Sequence, residues 1–266
     1  RHDCDFHSLT VNVYAVDADT TLNFSGGTRN LNTGANVTGL GTLAVSGATV
    51  NANNLLDIAA TGAALNVSNG VLNVNGSAAS GVLAPVSISG GTLNFNTTSA
   101  VTLPSLTLSG GTLGGTGAVT VSGAFNVTGT TSSLSGTGGF TTQGVSTVNL
   151  SSGLLSIIDG MTWVNEGTLT VGGDDSIYFG YFTGGTNTLT NAAGATLNLS
   201  STSATPLTFY TGSATFNNFG TLNQTVTGAH AINGSIAFNN TGTVNVDAGT
   251  LTIAGGGTDS GLYAVD

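Results

Sequence analysis

Serine stands at positions 25, 46, 68, 89 and 109, in steps of 21, 22, 21 and 20, each time in the same setting. An apolar residue precedes it and a small residue or asparagine follows. The copies read Phe24-Ser25-Gly26-Gly27-Thr28, Val45-Ser46-Gly47-Ala48-Thr49, Val67-Ser68-Asn69-Gly70-Val71, Ile88-Ser89-Gly90-Gly91-Thr92 and Leu108-Ser109-Gly110-Gly111-Thr112. From Trp163 a second series takes over, beginning Trp163-Val164-Asn165-Glu166-Gly167-Thr168-Leu169. Its asparagines stand at 165, 191, 218 and 240, in steps of 26, 27 and 22. Self-similarity at such a period is the mark of stacked-repeat architectures.

Within one repeat, Leu65, Val67, Leu72 and Val74 alternate with small polar residues. That is the period of a half-buried strand. Ser-Gly or Asn-Gly between two such strands supplies a corner, because glycine accepts positive φ freely and asparagine tolerates it. One coil of two or three strands cannot bury its own apolar side chains, whereas a stack of coils can. The pattern predicts an all-β fold, a β-solenoid of roughly 12 coils with about 20–27 residues per coil. At ~4.8 Å between stacked strands the body is on the order of 55 Å long. Residues 14–266 read as one continuous solenoid and 1–13 as an N-terminal arm or joint segment. No long window carries helical apolar spacing, and Thr, Val, Gly and Asn are mediocre or poor helix formers. A β-sandwich is the alternative; it would not need one constant coil length.

Charge narrows the partners. The chain has no lysine, only Arg1 and Arg29 as strong cations, and 12 carboxylates, for a net charge of −10. Nucleic acid is excluded as a partner, since phosphates need a basic footprint. Basic attraction to anionic membranes fails likewise. A 39% hydrophobic content argues against disorder. The 42 glycines do not fall at every third position and there are only 3 prolines, which excludes collagen. No apolar stretch approaches the ~20 residues of a membrane span. The chain opens at Arg1 without an initiator methionine, as a processed form or a fragment would. Cys4 is the only cysteine, so a disulfide could form only between chains, in an oxidising exterior.

The Gly-Thr-Leu-x-Val units, such as Gly41-Thr42-Leu43-Ala44-Val45 and Gly167-Thr168-Leu169-Thr170-Val171, resemble those of large bacterial surface proteins. These are the autotransporter passenger repeats and the filamentous-haemagglutinin-type adhesins, whose Asn-x-Gly-Thr-Leu series is similar too. The resemblance runs from about residue 20 onward. It implies a right-handed parallel β-helix, secretion, display at the cell surface or beyond it, and adhesive or structural work. It implies no catalytic residue and no cofactor.

The two ends share a tetrapeptide: Tyr14-Ala15-Val16-Asp17 returns as Tyr263-Ala264-Val265-Asp266 near the other end. Either tandem units of that spacing are joined in one polypeptide, or separate subunits stack end to end; coincidence in a biased sequence is the third reading. Uncapped solenoid ends are edges that template further pairing. The expected assembly interface is His7, Leu9, Val11, Val13 and Tyr14 at one end and Leu262, Tyr263 and Val265 at the other. Leu262 and Val265 are expected to extend the core across the joint. The expected partner is therefore another copy of the chain, with a glycan or a host or cell surface as a further one.

Candidate chemistry is sparse. Arg1-His2-Asp3-Cys4-Asp5-Phe6-His7 has metal-ligating residue types in no established spacing, and a docking arm is the preferred reading. Asp159, Glu166, Asp174 and Asp175 could serve inverting glycoside hydrolysis, which needs only two carboxylates; a solvated turn is the plainer account of Asp174-Asp175. His230 has no nucleophile-elbow motif beside it. Thr168 and Thr170 form one outward Thr-x-Thr pair, whereas an ice-binding face would need that pair on successive coils. Tyr178, Phe179, Tyr181 and Phe182 form the candidate ligand surface. On alternating strands some of these rings must face outward, where tyrosine stacks on sugars or fills a protein contact. The alternative is a wider coil packing them inward with Trp163. The expected function is a non-enzymatic extracellular adhesin stalk or filament subunit. A β-helical carbohydrate-binding or polysaccharide-cleaving protein is the alternative.

Overall fold

The computed structural model describes residues 12–58, 62–78 and 83–266. Among them the regular elements are all strands, and strand pairs are parallel. The chain climbs as a β-solenoid of about 11 turns with strands on three faces, most turns laying one strand on each. The first face holds twelve strands, from Thr21–Phe24 and Thr42–Val45 to Thr243–Val246 and Leu262–Val265. Twelve strands on one face enclose eleven turns, one fewer than counting residues suggests. The second face holds eleven strands, from Thr28–Leu31 to Thr250–Ile253. The third begins with Asn12–Val16, Ala35–Gly39 and Leu56–Ile58. It resumes as seven strands from Val101–Leu103 to Ile236–Asn240. Between these sheets the Ala84 N–H donates to the Ile58 carbonyl and the Leu83 N–H to that of Thr102, both at 3.0 Å. Parallel pairing throughout rules out the antiparallel β-sandwich.

Coil length varies more than expected. On the first face a short step in register carries Leu106 to Phe125, and the longest carries Thr168 to Thr196. Strands hardly change between these coils; the corners do. The long coil carries its extra residues in the corners before and after Ile177–Phe179. Asn12 and Val13, expected in the arm, belong to the first strand.

Stacking in register turns the sequence alternation into columns. On the first face one inward column starts at Leu22 and Leu43 and ends at Val244 and Tyr263. A second runs from Phe24 and Val45 to Val246 and Val265. From Leu43 to Val244 and from Val45 to Leu199 every leucine and valine of these columns is almost wholly removed from water, each worth about 1.5–3 kcal/mol. One part of the core holds Phe125, Phe140 and Trp163 in mutual contact. Phe125 meets the other two rings edge-on, with centroids 5.1 and 5.6 Å away. The indole N–H of Trp163 donates to Thr142 Oγ1 at 3.1 Å, so the buried ring leaves no orphan donor.

The two repeat series occupy different corners. Ser46, Ser68, Ser89 and Ser109 follow first-face strands, and each N–H donates at 2.9–3.0 Å to the residue that precedes the equivalent corner one coil earlier. Gly91 and Gly111 follow there with φ of 72° and 77°. A Cβ on either would collide with the carbonyl of the coil beneath, at Gly70 and Gly91. The asparagine series instead ends third-face strands, at the turn into the first face.

Candidate functional site

Asn165, Asn191, Asn218 and Asn240 point into the body and are fully buried. Asn165 Nδ2 donates to Asn191 Oδ1 at 2.9 Å, Asn191 to Asn218 at 2.8 Å and Asn218 to Asn240 at 2.9 Å. The first three also donate to a carbonyl of the following coil, at Thr196, Thr221 and Thr243, within 3.0–3.1 Å. Thr142 Oγ1 donates to Asn165 Oδ1 at 3.4 Å, at the lower end. Because every amide donates upward, the top needs an acceptor. It is Asp259, which takes the Asn240 Nδ2–H at 3.2 Å and the Gly261 N–H at 3.1 Å, and also the Tyr263 hydroxyl. The tyrosine bond, with those from Gly261 and Asn240, holds the Asp259 carboxyl below the usual carboxylate value, against a smaller opposing effect of burial. Burial, then Asp259 itself, pushes the Tyr263 phenol up.

The aromatic group is split by the strand alternation. Phe179 is fully buried in a second-face strand and is no part of a ligand surface. Tyr178 and Tyr181 are half-buried, and Phe182 is exposed. Tyr181 packs edge-on to Tyr178 at 5.4 Å and to Phe182 at 4.9 Å. A fourth ring, Tyr210, lies 5.0 Å from Tyr181 and is 61% exposed. Sequence reading missed Tyr210 because it belongs to the next coil. The signal that could find it is the step of one coil, through the pair Phe179 and Phe209.

The carboxylates are dispersed and tied into corners. Asp159, at φ 62°, accepts from Ser135 Oγ at 2.6 Å and from Thr183 Oγ1 at 2.5 Å. Glu166 accepts from Gln143 Nε2 at 3.0 Å. Asp174 is exposed, whereas Asp175 is buried and accepts the Leu150 N–H at 2.6 Å. Burial raises the Asp175 pKa; the Leu150 bond opposes this and the neighbouring Asp174 adds to it. His230 is buried, with Nδ1 2.7 Å from the Ser203 carbonyl and Nε2 3.1 Å from that of Thr227. Among the described residues no three His, Cys, Asp or Glu gather as metal ligands would. Outward Thr168 and Thr170 are followed on the next coil by Thr196 and Asn198, and Asn198 opens an amide ladder with Asn223 and Asn245.

At the ends, His7, Leu9 and Val11, with the rest of the Arg1–His7 segment, lie outside the described residues. Val13 and Tyr14 are exposed on the first strand, and Leu262, Tyr263 and Val265 on the last. Register corrects one assignment. Tyr263 pairs with inward Val244 and Val265 with Val246, while Leu262 pairs with outward Thr243. Tyr263, not Leu262, continues the core line. The shared tetrapeptides also differ in place: Tyr14 pairs with Val37 on the third face, whereas Tyr263 sits on the first. Compared with known proteins, the chain matches no family model, no curated protein and no solved structure.

Proposed function

We propose that this chain is a non-enzymatic structural protein of the cell exterior, the shaft of an adhesin or the subunit of a filament. A right-handed coil, as in the surface proteins its Gly-Thr-Leu units resemble, belongs to this reading. The observation that carries it is the destination of the polar side chains: coil after coil, they bond the neighbouring coil. Besides the buried asparagines, Asn51, Asn73 and Asn94 each donate to the asparagine one coil below at 2.7–2.8 Å. Such a body resists unravelling along its axis, as a load-carrying shaft requires. With no lysine and arginine only at 1 and 29, it offers trypsin almost nothing, which suits a protease-rich exterior. Electron microscopy of the purified chain should show rods much longer than one subunit, since about 11 spacings of ~4.8 Å give a body of roughly 50 Å. Monodisperse short particles at high concentration would count against the filament form.

The second reading is carbohydrate binding or cleavage, favoured by the outward group Tyr178, Tyr181, Phe182 and Tyr210. A glycan array and a reducing-sugar assay separate the two. Turnover abolished by Asp159→Asn or Asp174→Asn would replace the structural reading with an enzymatic one.

A further inference from the structure

We propose that Asn69 is a self-modifying site: its side-chain amide closes onto the Gly70 nitrogen, loses ammonia and leaves aspartate or isoaspartate in its place. Such a site is independent of the structural and carbohydrate readings above and goes beyond both. Three copies of one dipeptide in three surroundings point to it. Asparagine precedes glycine at 69–70, 75–76 and 233–234. Glycine is the follower that shields its own nitrogen least, because it has no side chain.

The copies at 69–70 and 75–76 flank one strand, Val71–Val74, and both asparagines are exposed. Exposure does not separate them; bonding does. Asn75 is a rung of an outer ladder. Its Nδ2 donates to Asn53 Oδ1 at 2.8 Å, and its Oδ1 accepts from Asn96 Nδ2 at 2.8 Å. The Gly76 N–H donates to the Ala52 carbonyl at 2.9 Å. Amide and nitrogen are thus both held by the adjoining coils. Asn69 has no such rung, and register gives the reason. The residues one coil below and one coil above it are Gly47 and Gly90, which have no side chain to offer an amide. Among the described residues the Gly70 N–H meets no backbone carbonyl and donates instead to Asn69 Oδ1 at 2.8 Å. A C=O bond is about 1.23 Å long, so Asn69 Cγ lies within about 4 Å of the nitrogen that must reach it. Asn233 falls between the two. It is half-buried, and its Oδ1 accepts the Ser235 N–H at 2.9 Å.

The step balances without an oxidant or a cofactor. Hydroxide removes the Gly70 amide proton, and the nitrogen attacks Asn69 Cγ. The N–Cγ bond forms and the Cγ–Nδ2 bond breaks; Nδ2 takes up a proton and leaves as ammonia. The product is a five-membered cyclic imide, which water opens. Opening at Cγ restores the ordinary backbone with aspartate at 69. Opening at the backbone carbonyl routes the chain through Cβ and Cγ, which is isoaspartate. Both products add a negative charge to a chain of net charge −10. Only the second disturbs the stack, because it inserts a methylene into a corner without room for one. A Cβ on Gly70, at φ 79°, would collide with the Ala48 carbonyl below, and one on Gly91 above would collide with the Gly70 carbonyl. A displaced corner also loses the bonds from Val71 N–H to Ala48 and from Thr92 N–H to Gly70, both 2.9 Å.

Peptide mapping by mass spectrometry, during incubation of the folded chain at mildly alkaline pH, tests the site. Asn69 should turn acidic at least about tenfold faster than Asn75, where three hydrogen bonds must break first, and Asn233 should fall between. In urea the three rates should converge. Asn53→Ala with Asn96→Ala frees the Asn75 amide on both sides and should speed Asn75, with the β-signal in circular dichroism retained. Asn69→Gln, whose amide is one methylene farther from the backbone, should remove the fast release of ammonia. Hydrogen exchange at Val71 and Thr92 should be faster in the isoaspartate product than in Asn69→Asp. An Asn69 that turns acidic no faster than Asn75, or a fast phase that survives Asn69→Gln, would overturn the proposal. A lead for Asn69 undiminished in urea, or an Asn75 rate indifferent to the loss of both ladder partners, would overturn selection by the fold.

Discussion

Asn73 and Asn191 make the same bond. Each donates an amide hydrogen to an asparagine one coil away, at 2.8 Å. Their surroundings are opposite. Asn73 stands outward on the second face, half in water, within the amino-terminal run Asn30, Asn51, Asn73 and Asn94. Asn191 is fully enclosed at the turn between the third and first faces, within the carboxyl-terminal run Asn165 to Asn240. Their polarity differs too. The outer amides donate to the coil below and the inner ones to the coil above. An outer ladder adds a modest bond between coils, since water is the competing partner, and such bonds contribute about 0.5–1.5 kcal/mol net. An inner ladder does something else. It lets the body carry a row of polar groups inside without a desolvation penalty, and it fixes which strand end meets which.

The largest effect should therefore come from breaking the inner ladder. Asn191→Ala strands the Nδ2 of Asn165, the Oδ1 of Asn218 and the Thr221 carbonyl, the last two being where Asn191 Nδ2 donates. At about 1–3 kcal/mol for each group left without a partner, partly met by carbonyls already in place, the loss should be about 3–5 kcal/mol. Asn73→Ala should lose about 1 kcal/mol or less. Urea unfolding measures both, with hydrogen exchange as the local readout, because stacked repeats do not always unfold as one unit. Equal losses at the two sites would dissolve the distinction between the ladders.

The sequence made one half of this contrast readable and hid the other. The series at 165, 191, 218 and 240 shows as spacing, and the strand period shows as alternating Leu and Val. Which asparagine of a pair turns inward does not show. In Phe216-Asn217-Asn218-Phe219, Phe216 and Asn218 are buried while Asn217 and Phe219 are not. A shift of one residue would exchange them, and residue type does not choose. Angular position around the axis was equally hidden. Coils as unequal as those from Leu106 to Phe125 and from Thr168 to Thr196 convert a residue count into no fixed rotation. Tetrapeptides at opposite ends of the chain could therefore look equivalent and lie on different faces. The aromatic patch was half legible for the same reason. Its three ring-bearing outward residues at 178–182 lie close in sequence, whereas Tyr210 arrives only through stacking.

Ser146 sharpens the comparison from the other side. It stands in the inward Leu22 column between Phe125 and Leu169, fully buried. Its hydroxyl has no hydrogen-bond partner among the described residues. It is an interior polar group without a ladder. Ser146→Ala should stabilise the protein by about 1 kcal/mol, since a buried hydroxyl lacking a partner carries a cost of that order. The same kind of truncation at Asn191 destabilises. Opposite signs at two fully buried polar positions would show that the neighbours above and below, rather than burial, decide the outcome. A loss of stability at Ser146 would mean that its hydroxyl is bonded in solution.

The smallest effect concerns the end of the inner ladder, where the two runs differ in titration. The outer run Asn30 to Asn94 has no ionisable member, so its own bonds should be indifferent to acid. The inner run ends on Asp259, whose carboxyl is held below its ordinary value of 3.8, chiefly by the Tyr263 hydroxyl. A carboxyl depressed on folding contributes stability that is fully present above its unfolded pKa and is lost as pH falls through the folded one. Acidification below about pH 4 should therefore loosen the last coil first. Hydrogen exchange at Gly261 and Leu262 should quicken relative to its intrinsic rate, while Asn51 and Asn73 do not follow. Asp259 is exposed, so solvent screening keeps the effect small. Asp175 runs the other way: burial raises its pKa, so its corner loses stability as pH rises from 3.8 through the raised value. Asp259→Asn keeps an acceptor oxygen for Asn240 and Gly261 but removes the titration. It should leave the last coil acid-insensitive, and an unchanged acid response in that variant would place the sensitive group elsewhere.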